Sequence, residues 1–514
     1  MSLSSRITKI GLCVFVVALF SLTSAWAQIS LVSATFTGGP GDQTGRAVSI
    51  TGGNIFVGGE SGQFVRFAIP PTTPTVSSVL SGGFFEGMTS TGTTVYPVGS
   101  AHPPTCGATD TVGDIENKSM VALYDASSAV FVNCQSTHFF PYSGGESYHA
   151  AVNDGLFLYA SGYGETCGFG NYNFVLSKID LFGMLISKFT DPGVDFNGFT
   201  CIRHTNALAL TLLNGNLYLA GYSNLLSDLD GVDRPMLMRY TTALTRDWKV
   251  RPTDNSGGAF NGVTALGNAI YAVGYVGASP NTDYLIEKYD EAGNRIWSKT
   301  SGGAGQDMLN AVIAIGGRLF AVGSTNSQGA GGLDAVLLEI DPSTGNTLST
   351  TTFGGAQDDV AYAVATDGTD LYVVGGSRSF ASAEGNQVGQ SDIMLLRYSL
   401  CTPPVITDLS AAPNVLWPPN HKMIPVNVSG ATTGGCGAVS CKIISVSSNE
   451  PVDADGDWVI TGNLTLDLRA ERLGTGTGRT YTITVQCMDG SGNNSTKTLA
   501  VTVPHDQGEE MRNR

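Results

Sequence analysis

Apolar and polar residues alternate along most of the chain in short runs rich in Val, Ile, Tyr and Phe, broken by Gly and Asn. A period of two is the pattern of half-buried β-strands. One run recurs: an apolar residue, an aromatic, two further residues and a glycine. It reads IFVGG at 55–59, VYPVG at 95–99, LYASG at 158–162, LYLAG at 217–221, IYAVG at 270–274, LFAVG at 319–323 and LYVVG at 371–375. Its aromatics are Phe56, Tyr96, Tyr159, Tyr218, Tyr271, Phe320 and Tyr372. A tight turn such as NGN (214–216) or IGGR (315–318) precedes it, with a further apolar stretch upstream. After a loop of variable length comes another strand, such as FVRFAI (64–69), MLMRYT (236–241) or IMLLRYS (393–399). Several copies continue through a turn such as EAGN (291–294) into a fourth strand, RIWSKT (295–300).

A second phrase opens the units: GGPGDQTGRAV (38–48), GGAGQDMLNAV (302–312) and GGAQDDVAYAV (354–364). Each unit therefore predicts four strands, the size of a propeller blade. Seven copies are present, although units two and four depart from the pattern and six remains an alternative count. The seventh unit stops after its third strand, at Leu400. The fourth is supplied by ISLVSATF (29–36), so the N-terminal strand closes the ring and hides sheet edges. Over 29–400 this arrangement resembles the seven-bladed β-propeller repeats of exported bacterial proteins, often called SBBP repeats. The expected fold is all-β: a seven-bladed β-propeller over 28–400, a linker at 401–404, a β-sandwich over 405–504 and a polar tail at 505–514.

With strands a to d running from the axis outward, the d-to-a and b-to-c connections share one face. That face carries the variable loops 100–119, 163–173, 222–234, 275–283, 324–334 and 376–391, and the Gly-Gly phrase. Gly-Gly lets the chain cross from the rim of one blade to the axis of the next. The polar residues after it fall at the mouth of the axis: Asp42, His204, Asp307, Asp358 and Asp359, with Glu146 and His149 of unit three. Two roles are open to them. They can cap strand ends through backbone N–H groups, or form a polar ring that takes a ligand.

Composition narrows the classes. Charged residues are 14% of the chain and Gly numbers 66 of 514, which suits punctuated strands and not long helices. The formal charge of −16 argues against nucleic acid. Arg6 and Lys9, the apolar run 10–22 and Ala25-Trp26-Ala27 read as a signal peptide over 1–27, cleaved near Ala27. No later run is long enough to span a bilayer. A secreted, extracellular or periplasmic monomer is expected. Eight cysteines follow the signal, an even number that favours disulfides. Topology puts Cys106 with Cys134, and Cys167 with Cys201, on the ligand face.

The last hundred or so residues change character. The hairpin formed by 481–487 and 495–503 around DGSGNN suits a β-sandwich. LWPPNHKM (416–423), SNEP (448–451), LRAER (468–472) and GRTYTITVQCMDGSGN (478–493) resemble an immunoglobulin-like module of exported bacterial proteins, in the style of HYR modules. The resemblance implies an inter-sheet bridge, Cys441 with Cys487, which leaves Cys401 with Cys436. It also implies an accessory, spacing or adhesion role. Asp453, Asp455 and Asp457 in DADGD alternate as Ca²⁺ ligands can, but position 464 is Leu where an EF-hand loop has Glu. No cofactor is expected beyond that Ca²⁺.

No H-E-x-x-H, G-x-S-x-G, P-loop or Rossmann motif is present. Two functions fit. The first is an exported binding, scaffold or adhesion protein whose propeller face takes an extracellular glycan or protein. The second is a propeller-type polysaccharide hydrolase or lyase using Asp358, Asp307 and Glu146.

Overall fold

The structure is a computed structural model. It describes residues 29–37, 42–69, 71, 74–102, 106, 117–137, 145–165, 172–190, 205–224, 231–252, 257–380, 390–400, 403–435, 438–452, 456–490 and 493–506. The signal segment, His204, Asp453, Asp455, Cys167, Cys201, Cys401 and Cys436 lie outside these residues. Two compact units form. One covers Ala34–Tyr398; the other covers Ser399–Arg514 and the N-terminal segment to Ser33.

Among the described residues of the first unit, the chain folds into seven four-stranded sheets in sequence order. Sheet one is Gly45–Thr51, Asn54–Gly59, Gln63–Ala68 and Pro74–Val79. Sheet six is Asp307–Ile315, Arg318–Thr325, Asp334–Ile340 and Thr347–Phe353. Sheet seven takes Asp359–Thr366, Asp370–Ser377 and Asp392–Ser399, and completes itself with Ser30–Thr37 from the other end of the chain. The first strand of each sheet packs on the first strand of the next, and that of sheet seven packs on that of sheet one. A circle of sheets with inner strands around one axis is a β-propeller.

Burial follows the strand order. The b and c strands are apolar on both faces because each is covered by two neighbouring sheets. All seven repeated aromatics are 0–2% exposed. Tyr372, Val374, Ile393 and Leu395 of sheet seven share a cluster with Ile55, Val57, Val65 and Phe67 of sheet one. The junction between the two ends of the repeat array is thus filled like the others. Each such side chain contributes about 1.5–3 kcal/mol on burial. The outer strands are more exposed, and Thr347–Phe353 alternates from Leu348 onward. One expected loop is absent. Residues 275–283 continue the ladder of Ala269–Ala278 with Asn281–Asp290, leaving only Ser279 and Pro280 to turn.

The second unit holds a four-stranded sheet (Val405–Ala412, Met423–Thr433, Thr465–Arg469, Trp458–Ile460) and a three-stranded one (Ser440–Ser448, Gly478–Met488, Asn494–Pro504). Val426, Leu466 and Leu468 of the first meet Ile443, Tyr481, Ile483, Val485 and Val501 of the second in one core. The Cys441–Cys487 disulfide is present, but these residues face each other on adjacent strands of the three-stranded sheet. The expected bridge between sheets is instead a rung within one sheet. Cys106–Cys134 is formed as expected. No helix among the described residues is long and apolar enough to cross a membrane.

Candidate functional site

Every innermost strand carries a one-residue register shift near its start. The unpaired residue is Arg46, Glu86, His149, Leu208, Asn261, Asn310 and Tyr362 in sheets one to seven. These are β-bulges, which break the alternation and re-aim one side chain. The glycine of each aromatic-x-x-Gly phrase sits opposite. A Cβ on Gly99, Gly162, Gly221, Gly274, Gly323 or Gly375 would lie 1.8–1.9 Å from the carbonyl oxygen two residues before the bulge residue; on Gly59 it would lie 2.1 Å away. The two repeated phrases are therefore halves of one device. The bulged strand presses its backbone into space that only glycine leaves open.

A small residue follows each bulge: Ala47, Gly87, Ala150, Ala209, Gly262, Ala311 and Ala363. Here the inner strands approach one another. A Cβ on Gly87 would stand 2.7 Å from the Ala150 Cα, and one on Gly262 would stand 2.9 Å from the Ala311 Cα.

The acidic residues of the Gly-Gly phrase divide into two sets. Asp307 is 1% exposed. It accepts from the Gly303 N–H at 2.8 Å, the Ser327 hydroxyl at 2.7 Å and the Thr325 hydroxyl. Asp359 is fully buried and accepts from the Gly355 N–H at 2.9 Å and the Ser377 hydroxyl. These carboxylates latch the rim-to-axis crossing onto the end of strand b, and their oxygens are engaged from inside the fold. Glu146 is also fully buried. Asp358 and Asp42 are exposed. Each accepts from a backbone N–H of the preceding blade: Leu333 at 2.9 Å and Ser391 at 2.8 Å. Arg378 lies 3.8 Å from Asp42. In the second unit, the buried Asp457 accepts from Arg479 and lies 3.4 Å from Arg469. Its charge is matched by guanidinium groups. Among the described residues no group of three or more His, Cys, Asp or Glu side chains is placed to hold a metal ion.

The bulge residues themselves are half-buried, and all but Leu208 have a contact with a neighbouring blade. Asn261 donates to the Leu309 carbonyl at 2.9 Å, and Asn310 to the Ala361 carbonyl at 2.8 Å. These two amides stitch sheets five to six and six to seven. The other side of the ring differs. The Arg46 guanidinium lies 3.9 Å from the Tyr362 ring centre and pairs with Glu60 at 2.7 Å. His149 Nδ1 pairs with Glu86, whose other oxygen accepts from the Ser147 hydroxyl at 3.0 Å. His149 stacks on Tyr163 with 5.2 Å between ring centres, and its Nε2 lies 3.3 Å from the Asn206 amide. Burial alone would push the Glu86 carboxyl up; His149, the hydrogen bonds from His149 and Ser147, and the charge of Arg46 hold it below its ordinary value. Of the residues singled out in the sequence, only His149 belongs to this arc. Arg46, Glu86, Asn206 and Tyr362 join it through the fold.

The structure thus defines an all-β protein of the β-propeller class with a polar, hydrogen-bonded arc at the axis. No family model matches the sequence, and no curated protein is similar to it. Among solved structures, the chain is similar to the WD40 β-propeller domain of Doa1, at 9% identity and a TM-score of 0.46, over 73% of this chain and 97% of that one.

Proposed function

We propose that the chain is an exported, non-catalytic binding or scaffold protein. It is a seven-bladed propeller that takes an extracellular ligand at the mouth formed by the d-to-a and b-to-c connections. An immunoglobulin-like module spaces or anchors it. One observation carries this reading. In a repeat, positions that serve the fold are repeated, and here the glycines, the aromatics and the small residues are. The bulge position, seven times at the same place beside the axis, is not: it holds Arg, Glu, His, Leu, Asn, Asn and Tyr. Two asparagines stitch blades. The contiguous Tyr362, Arg46, Glu86 and His149 follow no repeat rule, and they lie at the end of the inner strands where the variable loops emerge. The Cys106–Cys134 disulfide supports an oxidising compartment and staples one loop of that face.

The test is retention of extracellular glycans and cell-surface proteins on the immobilised full chain, scored with product formation. Retention without product, lost in a folded Arg46→Ala/Glu86→Gln/His149→Ala/Tyr362→Ala variant, is expected. Product formation would move the chain to a hydrolase or lyase. Retention that survives the fourfold change would remove the site from the axis.

A further inference from the structure

We infer that the arc of Arg46, Glu86, His149 and Asn206 binds an uncharged, polyhydroxylated ligand, a neutral saccharide. This rests on the reading of the mouth as a binding surface and names what occupies it. The first argument is charge. Arg46 already faces Glu60 at 2.7 Å, and Glu86 faces the His149 imidazole. An anionic ligand would have to draw Arg46 away from Glu60, and a cationic one would have to displace the His149 ring from Glu86, each leaving a half-buried group without its partner, which is costly. A polyanion would in addition approach a chain of formal charge −16.

The second argument is the order of donors and acceptors. Around the arc, guanidinium, carboxylate, imidazole and amide alternate between giving and accepting hydrogen bonds. A ring of hydroxyls, each able to do both, matches such a row without adding charge. Planar groups with apolar faces, Tyr362 and Tyr163, stand beside it. Apolar surface with a few placed polar groups is how proteins orient small ligands.

The third argument is an unmet bond. Asn206 is 7% exposed, and its Oδ1 has no hydrogen-bond partner among the described residues, while its amide nitrogen lies 3.3 Å from His149 Nε2. Turning the amide over would exchange the two atoms and still leave one end unmet. Buried amide groups are nearly always satisfied; this oxygen is enclosed by protein, so a ligand hydroxyl meets it once the Asn206 side chain turns toward the arc.

The experiment is calorimetric titration of the full chain with cellohexaose, xylohexaose, mannohexaose and chitohexaose, and with hexagalacturonate as the charged counterpart. Saturable binding of at least one neutral oligosaccharide is expected. Glu86→Gln and Asn206→Leu should each weaken it by about tenfold or more, as loss of a ligand hydrogen bond does. Asn261→Ala, on the far side of the ring, should leave the affinity within about twofold, since it loses no ligand contact. Asn206→Leu also separates binding from folding. It exchanges one long bond to His149 and one unmet end for apolar burial, so its melting temperature should match that of the parent while its affinity falls. Binding of hexagalacturonate alone would overturn the neutral class. Neutral binding indifferent to both arc variants would overturn the location. Failure of all the neutral oligosaccharides overturns the inference. If a protein ligand is then retained in a manner sensitive to Glu86→Gln, the binding surface stands and its occupant is a protein. If nothing is retained, both readings fall.

Discussion

Replacing Gly323 by alanine should break the bulge of sheet six. The added Cβ would lie 1.9 Å from the Met308 carbonyl oxygen and 2.7 Å from the Leu309 Cα, and both obstacles are backbone. To reach ordinary contact the inner strand must retreat by roughly 1 Å, in a place where overpacking already costs about 1–3 kcal/mol. That retreat also strains the ladder that pairs Leu309 with Gly323, at about 1 kcal/mol for each hydrogen bond lost. A loss of about 3–5 kcal/mol follows, a large share of the ~5–15 kcal/mol that holds a typical domain. Two other glycines calibrate the effect. Gly317 has φ +80 and open space, so alanine there meets only backbone strain of about 1–2 kcal/mol. Gly92 has open space and no positive φ, so alanine there should be neutral or stabilising by up to about 1 kcal/mol. Calorimetric melting ranks the three variants, and hydrogen exchange over 307–325 locates the damage. If Gly323→Ala melts beside Gly92→Ala with exchange over 307–325 unchanged, the glycine does not hold the bulge, and the coupling of the two repeated phrases is wrong.

Three further outcomes are expected. Asp334 is 1% exposed and faces Asp359 across Gly354; burial first, and then the charge of Asp359, raise its carboxyl above the ordinary 3.8. The folded state therefore holds that proton more tightly than the unfolded one, and stability falls as pH rises from 3.8 through the folded value. Asp334→Asn should remove that slope and raise the melting temperature at pH 7; a lower melting temperature there would contradict it. Glu86 has the opposite sign. Its folded pKa lies below 4.5, so its contribution is present above 4.5 and lost as pH falls through the folded value. The melting temperature of Glu86→Gln should accordingly show a shallower fall than the parent below pH 4.5, and identical slopes would refute the pairing with His149. Finally, Cys106→Ser/Cys134→Ser opens a closure of 28 residues and should cost about 3–4 kcal/mol. Compared in reductant, which opens the Cys441–Cys487 bridge in both, parent and variant should melt together, and without reductant the variant should melt lower; equal melting without reductant would show that this bond does not hold the fold.

Much of the fold was legible because strands b and c advertise themselves. LYVVG and IMLLRYS are apolar on both faces, and the aromatic three residues before glycine marks each b strand. The closing strand was legible from arithmetic alone, since the seventh unit lacks one and residues 29–36 have no other sheet to join. The axis was not. Reading outward from the Gly-Gly phrase led to Asp307 and Asp359, whose carboxylates are latches, and to the exposed Asp42 and Asp358. The reason is parity. A bulge inserts one residue into the inner strand, so alternation counted across it assigns faces wrongly. Glu86, in FEGMT, reads as an outward polar residue of an ordinary strand. Two signals were present all the same. The glycine of aromatic-x-x-Gly stands at the end of an apolar strand run and not in a turn, so something other than a turn must demand it. The residue just before Ala or Gly in the inner strand is also a place where seven similar units stop agreeing. The bridge between Cys441 and Cys487 shows the converse case. The pair was identified by likeness to a sandwich, yet the register puts both cysteines on neighbouring strands of one sheet.

The separation of roles between positions has a physical cause. A residue in a ladder is bound by its partners, its face and its neighbours, and a substitution there propagates through the sheet. A bulge residue is paired to nothing across the strand, so the ladder closes above and below it whatever its side chain. The glycine opposite and the small residue after it carry the steric burden of the bulge at every junction. They leave one position per blade free to vary, on a strand held between two others. Repetition of the steric parts and divergence of the projected part are what a closed ring of blades needs in order to present unlike groups at one place. Leu208 fits that logic as well. It stands between the polar arc and the two asparagine stitches, an apolar residue that separates the four contiguous blades of the one from the two of the other.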